Sequence, residues 1–265
     1  MLIAQLTDCH VTAKGTLALG AIDTNTALAR AVAFLNRLDP RPDLVLLTGD
    51  LINGPKPGEY EAAAEILAGL SLPLRLIPGN HDDRAGLRTA FPAAFPAAVP
   101  AAGEFLHQAL DLGPLRLLAL DSTIPGRVEG TLCPARLDWI AARLAEDDRP
   151  TLVALHHPPF PTGIGFMDAI GCANGDRLEA LLRRHGAVVG VLTGHVHRAI
   201  AQSFAGSVGF CCPSSAFQMA FQPDPDAPAR WTREPPALAL HQWHPGQPLR
   251  SHVVPIGDFP PTPFG

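Results

Sequence analysis

The amino-acid sequence predicts an α/β fold in which a β-sheet is covered on both of its faces. Short apolar runs of strand length recur along the chain, and segments with helical periodicity lie between several of them. The runs are apolar throughout, as expected of strands whose two faces are both buried. A chain of 265 residues with 47% hydrophobic and 17% charged residues can bury the core of such a fold as one domain with a modest insertion.

Six apolar runs in the first 192 residues have the length of β-strands. They are Leu2–Leu6, Leu44–Leu47, Leu74–Ile77, Leu115–Leu120, Leu152–Leu155 and Val188–Leu192. Two further strand-like runs, Leu238–Trp243 and His252–Ile256, follow near the C-terminus. Runs of four to eight residues bounded by turn residues are typical of buried strands.

The clearest helix lies between the first two runs. Thr26–Leu38 carries apolar residues at helical spacing and stops before Pro40, which cannot continue a helix. Glu59–Leu70 shows the same spacing. Leu137–Leu144 and Arg177–Arg184 are the other predicted helices.

Two stretches interrupt the alternation of strands and helices. Phe91–Ala102 is rich in alanine and proline and is predicted to be a surface excursion. Gln222–Pro236 is rich in proline and predicts an irregular loop that serves as a cap or an oligomer contact. We therefore expect a single domain over residues 1–265, with a cap or oligomerisation insert at about residues 200–236.

Charge and cysteine content limit the classes of partner and compartment. A net charge of −5 disfavours a nucleic-acid surface, although bound metal cations would still allow small anionic substrates. Five cysteines with no zinc-finger spacing predict free thiols in a reducing cytoplasm. The opening MLIAQL lacks the basic region of a signal peptide, and no apolar stretch is long enough to predict a membrane span.

Potential metal ligands follow five of the six apolar runs within a few residues. They stand in the segments Asp8-x-His10, Gly49-Asp50, Gly79-Asn80-His81-Asp82, His156-His157 and Gly194-His195-x-His197. In open α/β sheets, ligands bind at the carboxyl ends of the strands. Five strands that deliver aspartate, histidine and asparagine to one edge would therefore build one site.

The residue types in these segments suit two adjacent divalent ions. Carboxylates and imidazoles favour manganese, iron, cobalt or zinc, and no cysteine stands where a ligand is needed. Glycines at positions 49, 79 and 194 allow the tight turns that would aim the ligands. Asp8-x-His10 and Gly49-Asp50 alone are explained by a turn or a helix cap, whereas Asn80-His81-Asp82 and Gly194-His195-x-His197 are more specific. The ordered recurrence of all the segments at strand ends favours a metal site.

The ordered segments resemble the calcineurin-like metallophosphoesterases, and the resemblance extends over nearly the whole chain. Within that superfamily the chain is most similar to bacterial glycerophosphodiesterases and class III cyclic-nucleotide phosphodiesterases. Three stretches indicate this subgroup: Gly20–Asn25, Leu76–Asp83 and Met167–Ile170.

The resemblance implies a four-layer αββα sandwich, the metallophosphoesterase fold, around a dinuclear centre. It implies that Asp8, His10 and His197 hold one metal ion, and that Asp50 bridges both ions. It also implies that the other ion is held by Asn80, His156 and His195. His81 would be the catalytic residue beside the leaving group.

We therefore predict a phosphodiesterase that hydrolyses small phosphodiesters, either glycerophosphodiesters or cyclic nucleotides, by in-line attack of a hydroxide held between two metal ions. A phosphomonoesterase that uses the same metals is the alternative. A nuclease would need a basic groove that the composition does not indicate. A non-enzymatic binding protein is disfavoured because all the ligand positions and His81 are filled. The proline-rich insert and the resemblance predict a homodimer or larger homo-oligomer.

Several residues near the motifs receive weaker predictions. Phe217 stands where similar proteins tend to carry histidine, and Leu19 where a relative can carry an aromatic residue, so the substrate stays open. Arg127 could reach a substrate phosphate, but solvation is favoured because arginine is usually exposed. His157 is predicted to lie behind the ligands or on the outer face, and Cys9 to pack in the core. Asn53 could equally form a hydrogen bond near the site or cap a loop.

Overall fold

The computed structural model describes residues 1–95, 105–260 and 262–264. The predicted surface excursion at Phe91–Ala102 lies outside the described residues from position 96 onward. Before that point, Pro92–Ala94 form one 3₁₀ turn. No helix among the described ranges is both long and apolar enough to cross a membrane.

The strands and helices are bounded as follows. The strands are β1 Leu2–Leu6, β2 Leu44–Thr48, β3 Leu74–Ile77, β4 Gln108–Leu112, β5 Leu115–Leu120, β6 Gly130–Thr131, β7 Thr151–Leu155, β8 Cys172–Ala173, β9 Val188–Thr193, β10 Ile200–Phe204, β11 Ser207–Cys211, β12 Gln218–Met219, β13 Trp231–Thr232, β14 Ala237–Gln242 and β15 Arg250–Pro255. The helices are α1 Thr24–Arg37, α2 Glu59–Leu67, α3 Arg84–Ala90, α4 Pro134–Leu144, α5 Gly165–Ala169 and α6 Gly175–His185.

The strands form two large sheets. The first has five strands in the order β15-β14-β1-β2-β3, and β1, β2 and β3 are parallel. The second has six strands in the order β10-β11-β9-β7-β5-β4, and its four inner strands are parallel. Antiparallel pairs close both edges of the second sheet and one edge of the first.

Three apolar clusters separate four layers. One cluster packs α1, α2 and α3 on the outer face of the first sheet, and another packs α4 and α6 on the outer face of the second. The third lies between the sheets, where Ile3 and Leu46 of one sheet and Leu117 and Leu152 of the other are buried. The αββα sandwich is confirmed. The single sheet that the apolar runs suggested is instead two stacked sheets, and stacking also buries both faces of a strand.

Local chemistry sets the ends of the helices that were predicted. The Asp23 side chain caps α1 by accepting a hydrogen bond from Thr26 N at 2.9 Å. Pro134 occupies the first turn of α4, and Gly186 ends α6 with a positive φ of 76°. The predicted helices thus exist, with ends that differ by a few residues from those expected.

The predicted insert at about residues 200–236 begins too early. β10 and β11 lie in this range but belong to the second large sheet. The part of the predicted insert that follows β11 lies outside that sheet and contains the short β12–β13 hairpin. The sequence did not predict these two strands, because apolar and polar residues are mixed in β10 and β11 and their pattern does not resemble that of a buried strand.

Candidate metal centre

The predicted ligands meet where strand ends of both sheets come together. β1, β2 and β3 of the first sheet and β7 and β9 of the second lead into the five ligand segments. Backbone hydrogen bonds join the segments, since Asp8 N donates to Gly49 O and His10 N donates to Asp50 O, both at 3.0 Å. Gly194 N donates to His156 O at 3.0 Å and joins the loops after β9 and β7. The loops that carry the predicted ligands therefore meet at one edge of the two sheets.

The backbone of the ligands themselves is unusual. Eight described residues other than glycine have a positive φ, and five of them are predicted ligands. These five are Asp8 (52°), His10 (47°), Asp50 (52°), His195 (70°) and His197 (50°). Such conformations are uncommon outside glycine and gather at functional sites, where surrounding contacts hold them.

Hydrogen bonds to side chains support this strained backbone. Ser214 Oγ donates to Asp8 O at 2.8 Å, and Thr24 Oγ1 donates to His10 O at 2.7 Å. Thr24 is the first residue of α1, so the first helix helps to hold the loop after β1.

The three glycines predicted to permit turns act mainly by close approach. Gly49 has a positive φ of 95°, and a Cβ there would also collide with His156 and the backbone of Gly79. Gly79 and Gly194 do not have a positive φ, but a Cβ on Gly79 would collide with Asp50. A Cβ on Gly194 would collide with Thr7 and Asp8. The glycines are thus required because the ligand loops pack directly against each other.

Asp8, His10 and His197 form one group of potential ligands, whose donor atoms lie within 4.8 Å of one another. His10 Nε2 lies 2.9 Å from His197 Nε2, and Asp8 Oδ1 lies 3.4 Å from the same nitrogen. His197 Nδ1 donates to Phe217 O at 3.0 Å, which leaves the Nε2 lone pair directed at the group. All three side chains are buried.

Asn80, His156 and His195 form the second group. Asn80 Oδ1 lies 3.1 Å from His156 Nε2 and 3.0 Å from His195 Nδ1. The opposite ring nitrogens donate to backbone carbonyls, His156 Nδ1 to Thr48 O at 2.7 Å and His195 Nε2 to Ile170 O at 3.1 Å. Two imidazole lone pairs therefore face one amide oxygen.

Asp50 lies between the two groups. Its Oδ2 is 3.8 Å from His10 Nε2 in the first group and 3.4 Å from His156 Nε2 in the second. Its Oδ1 accepts a hydrogen bond from His81 N at 2.9 Å. A carboxylate in this position fits a bridge between two cations.

The donor set fits two divalent ions because the site brings carboxylate, amide and imidazole acceptor atoms close together. Burial, together with the charge of nearby histidines, lowers the pKa of His10 and of His195 to about 3, so both rings are neutral ligands at neutral pH. Burial opposes ionisation of Asp50, but the charges of His156 and His81 hold its pKa well below the usual value. Histidine and carboxylate ligands of this kind suit transition-metal ions.

His156 shows how strongly the centre favours positive charge. Burial lowers the pKa of its imidazole, yet the charge and hydrogen bond of Asp50, the charge of Asp8 and the hydrogen bond to Thr48 O together outweigh burial and raise that pKa to about 9. A proton on His156 and a metal ion beside it would each place a positive charge next to the Asp50 carboxylate. Metal binding would therefore displace a proton from this ring.

His81 stands at the opening of the site. Its side chain is 38% exposed, its ring centroid lies 4.7 Å from that of His10, and Nδ1 donates to Asn53 O at 2.7 Å. Nε2 faces the centre, 4.0 Å from Asp50 Oδ2. The structure therefore places His81 beside the metal groups, with one ring nitrogen free to meet a substrate.

The centre forms the floor of a cavity of about 420 Å³. Its walls are apolar for the most part. They include Leu19, Val128, Phe166, Met167, Ile170, Phe217, Met219, Ala229 and Trp231. Among the described residues that line the cavity, Arg230 is the one cationic side chain apart from histidines.

The residues with weaker predictions take up diverse positions. His157 bonds Ser122 Oγ at 2.8 Å and Val128 O at 3.2 Å, so both ring nitrogens are engaged behind the ligands. Cys9 is buried in the outer core of the first sheet. Arg127 is exposed and paired with Glu129 instead of reaching the centre. Asn53 lines the cavity and supplies the carbonyl that orients His81.

One functional contributor received no predicted role although it stands within a quoted motif. Asp82 accepts hydrogen bonds from Gly79 N at 2.9 Å, Ile52 N at 3.2 Å and Leu51 N at 3.3 Å. It thereby ties the turn that carries Asn80 and His81 to the loop after β2. The position of Asp82 directly after Asn80-His81 was the signal in the sequence that could have indicated this role.

Comparison with known proteins supports the same class. A family model described as calcineurin-like phosphoesterase matches residues 1–199. A probable glycerophosphodiester phosphodiesterase of Arcobacter nitrofigilis is 34% identical, covering 100% of this chain and 97% of its own. A 3′,5′-cyclic adenosine monophosphate phosphodiesterase of Pseudomonas aeruginosa is 33% identical, covering 88% and 85% of the two chains. The structure of a dimetal phosphatase from Danio rerio has a TM-score of 0.71 at 14% identity, covering 97% and 99%.

The layered fold and the strand-end centre define a metallophosphoesterase. The chain belongs to the calcineurin-like phosphoesterase family, a family of dinuclear metal enzymes. The resemblance that the motifs carried is therefore confirmed. The two relatives above are named as phosphodiesterases, which supports the predicted class of metal-dependent phosphodiester hydrolase.

Proposed function

We propose that the chain hydrolyses small phosphodiesters, glycerophosphodiesters or cyclic nucleotides, with two divalent ions held at the candidate centre. The observation that carries this proposal is the convergence of six predicted ligand side chains into two groups, with a seventh, Asp50, between them. The names of relatives at 33–34% identity support the choice of phosphodiester.

Each group would hold one ion. Asp8, His10 and His197 would hold the first, Asp50 would bridge, and the second ion would be held by Asn80, His156 and His195. When bound, the pair of ions lowers the pKa of water and neutralises phosphoryl charge, which makes in-line displacement possible. Manganese, iron, zinc and cobalt all suit these ligands, and availability in the cell decides among them.

His81 is proposed to handle the leaving group. The bond from Nδ1 to Asn53 O fixes the ring, so Nε2 is the nitrogen that can donate a proton to the departing ester oxygen. A proton held there would also stabilise negative charge on that oxygen as the ester bond breaks. Asn53 thus acts as a positioning residue through its backbone.

The cavity favours a diester over a monoester. A phosphodiester has a second ester group beyond its phosphoryl oxygens, and the apolar walls of the cavity would accommodate that group. A nuclease is disfavoured by the net charge of −5.

A comparison of two synthetic esters tests this proposal. The protein is stripped with chelator and reloaded with Mn²⁺, and hydrolysis of bis(p-nitrophenyl) phosphate is compared with that of p-nitrophenyl phosphate. We expect metal-dependent diesterase activity that falls by roughly 10²-fold or more in His81→Ala. Asp50→Ala should also lose activity, and His244→Ala, an exposed histidine distant in sequence, is the matched control.

The other outcomes are equally specific. Activity on the monoester alone would replace the proposal by the phosphatase alternative. Absence of activity on both esters, with two ions bound, would contradict hydrolysis of simple phosphodiesters.

We further propose a homodimer or larger homo-oligomer in the cytoplasm. The segment after β11 exposes Phe221 at 66%, which supports a contact between copies. The five cysteines are all free thiols, which suits a reducing compartment. Light scattering that shows a monomer at micromolar concentration would contradict the first proposal, and cell fractionation tests the second.

A further inference from the structure

The mouth of the cavity carries a group of exposed apolar side chains, which we call the apolar rim. Its members are Leu19 (57% exposed), Val128 (51%), Phe166 (41%) and Trp231 (37%). Large apolar residues that are exposed around a cavity are more informative than single exposed ones, because such patches mark binding surfaces. The hydrolytic centre itself does not need these four side chains.

The rim comes from separate parts of the chain, and hydrogen bonds join those parts. Trp231 is held in the β12–β13 hairpin opposite Met219, where Ala220 N donates to Arg230 O at 2.8 Å. The segment after β12 is joined to α5, which carries Phe166, because Gly165 N donates to Gln222 O at 3.0 Å.

Leu19 and Val128 are fixed in similar ways. Leu19 has a φ of 51°, a conformation uncommon for a residue other than glycine, and its loop accepts a hydrogen bond from Arg233 at Ala21 O, 3.2 Å. The Val128 carbonyl bonds His157 Nε2 at 3.2 Å, behind the ligands. These bonds preorganise the rim around the floor.

The rim is connected to the centre as well. Ile170 O, just after α5, accepts the hydrogen bond of His195 Nε2 at 3.1 Å. The ring of Phe217 packs against that of His197, tilted by 50° with 4.6 Å between the centroids, and meets Trp231 edge-on at 6.2 Å. An ester whose phosphoryl group lies at the centre would thus extend its other group along this aromatic and aliphatic surface.

We propose that the apolar rim selects phosphodiesters in which one ester group carries a planar aromatic ring, such as a nucleobase, over those with a small polyhydroxylated group such as glycerol. Flat rings stack on aromatic side chains, whereas hydroxyl groups need hydrogen-bonding partners. Among the described lining residues above the floor, Arg230 and Asn53 are the polar side chains. This inference rests on the proposed function of the same site.

Direct binding to the Mn²⁺-loaded protein tests the inference with two ligands that share the phosphorylated ribose and differ at C1, where one carries adenine and the other a hydroxyl group. Calorimetric titration compares adenosine 5′-monophosphate with ribose 5-phosphate. We expect the adenosine compound to bind about tenfold more tightly, within the range that base stacking on aromatic side chains supplies. Trp231→Ala and Phe166→Ala should bring that ratio towards one and leave ribose 5-phosphate binding unchanged.

Phe259→Ala is the matched control, because Phe259 is an exposed aromatic residue that does not line the cavity. It should keep the ratio. A ratio near one in the unaltered protein, or a ratio retained in both rim variants, would overturn the inference. The inference would also be overturned if the rim variants weakened the binding of both ligands equally. The same holds if they changed the molecular mass measured by light scattering while the ratio of the two affinities stayed the same. Metal-dependent hydrolysis of bis(p-nitrophenyl) phosphate is measured on the same samples, so failure of the proposed function is detected separately.

Discussion

Three histidines of the centre are oriented by the ring nitrogen that faces away from it. His156, His195 and His197 each donate that N–H to a backbone carbonyl, at 2.7, 3.1 and 3.0 Å. Such bonds set the tautomer and direct a lone pair at the metal. Because the acceptors are backbone atoms, no sequence motif could have revealed them.

Gly194 offers the sharpest single substitution. In Gly194→Ala the new Cβ would collide with Thr7 and Asp8, so either the loop or the ligand must move. We expect a loss of about 1–3 kcal/mol in the free energy of unfolding, together with weaker Mn²⁺ binding. Denaturant unfolding and calorimetric metal titration measure the two effects.

Gly54→Ala is the control for that substitution. Gly54 lies in the loop after β2, and a Cβ there meets nothing within 4 Å. Its stability and metal affinity should stay near those of the unaltered protein. If Gly194→Ala behaved like Gly54→Ala, the close packing of the ligand loops would not matter for the centre.

At the scale of elements, the turn after β3 depends on the carboxylate of Asp82. Asp82 accepts three backbone hydrogen bonds, and an asparagine can replace only one of its two acceptor oxygens. We expect Asp82→Asn to lower the free energy of unfolding by about 1–3 kcal/mol. It should also lower the diesterase rate, because Asn80 and His81 would lose their fixed position.

Asp138→Asn controls for the change of charge, since Asp138 is exposed on α4. Urea unfolding and steady-state kinetics of both variants are the measurements. Equal stability of the two variants would show that the turn holds its shape without the carboxylate.

Some elements could be predicted from the sequence and others could not. α1 has a capping aspartate and a regular apolar face, so its pattern is unambiguous. α3 is seven residues long with Gly86 inside it, which is too short to show a period. β10 and β11 form an edge hairpin with exposed and polar positions, so their pattern does not resemble that of the buried strands.

At the scale of the whole molecule, the sequence located the centre better than it described the layers. The rule that ligands follow strand ends needs only the order of residues, and it brought Asp8, Asp50 and His195 to one edge. It could not distinguish one sheet from two, because a strand between a helix layer and a second sheet is apolar on both faces. The left-handed backbone at the ligands also arises from tertiary contacts.

The stability of the whole molecule in acid depends in part on a histidine that lies between the two sheets. His241 is buried there and bonds Gln5 Oε1 at 2.9 Å and Ser251 Oγ at 2.8 Å. Burial, aided by the charge of His252, lowers its pKa to about 3, against about 6.5 in the unfolded chain. The unfolded state therefore binds more protons below pH 6.5, and stability is lost as the pH falls from there towards 3.

Urea unfolding of the metal-free protein at pH 7 and pH 5 tests this contribution. Replacing His241 by glutamine should make the loss between these values smaller by about 2 kcal/mol, from the difference between pH 5 and the unfolded pKa. His244→Gln, at an exposed position, should leave the pH dependence unchanged. An unchanged slope in His241→Gln would contradict the assignment.

The central claim is that seven side chains hold two metal ions at one edge of the two sheets. Calorimetric titration of the chelator-treated protein with Mn²⁺, checked by elemental analysis, tests it most directly. We predict two ions per chain, and at most one in Asp50→Ala, because its carboxylate lies between both groups. One ion or none in the unaltered protein, or two ions still bound in Asp50→Ala, would contradict the account.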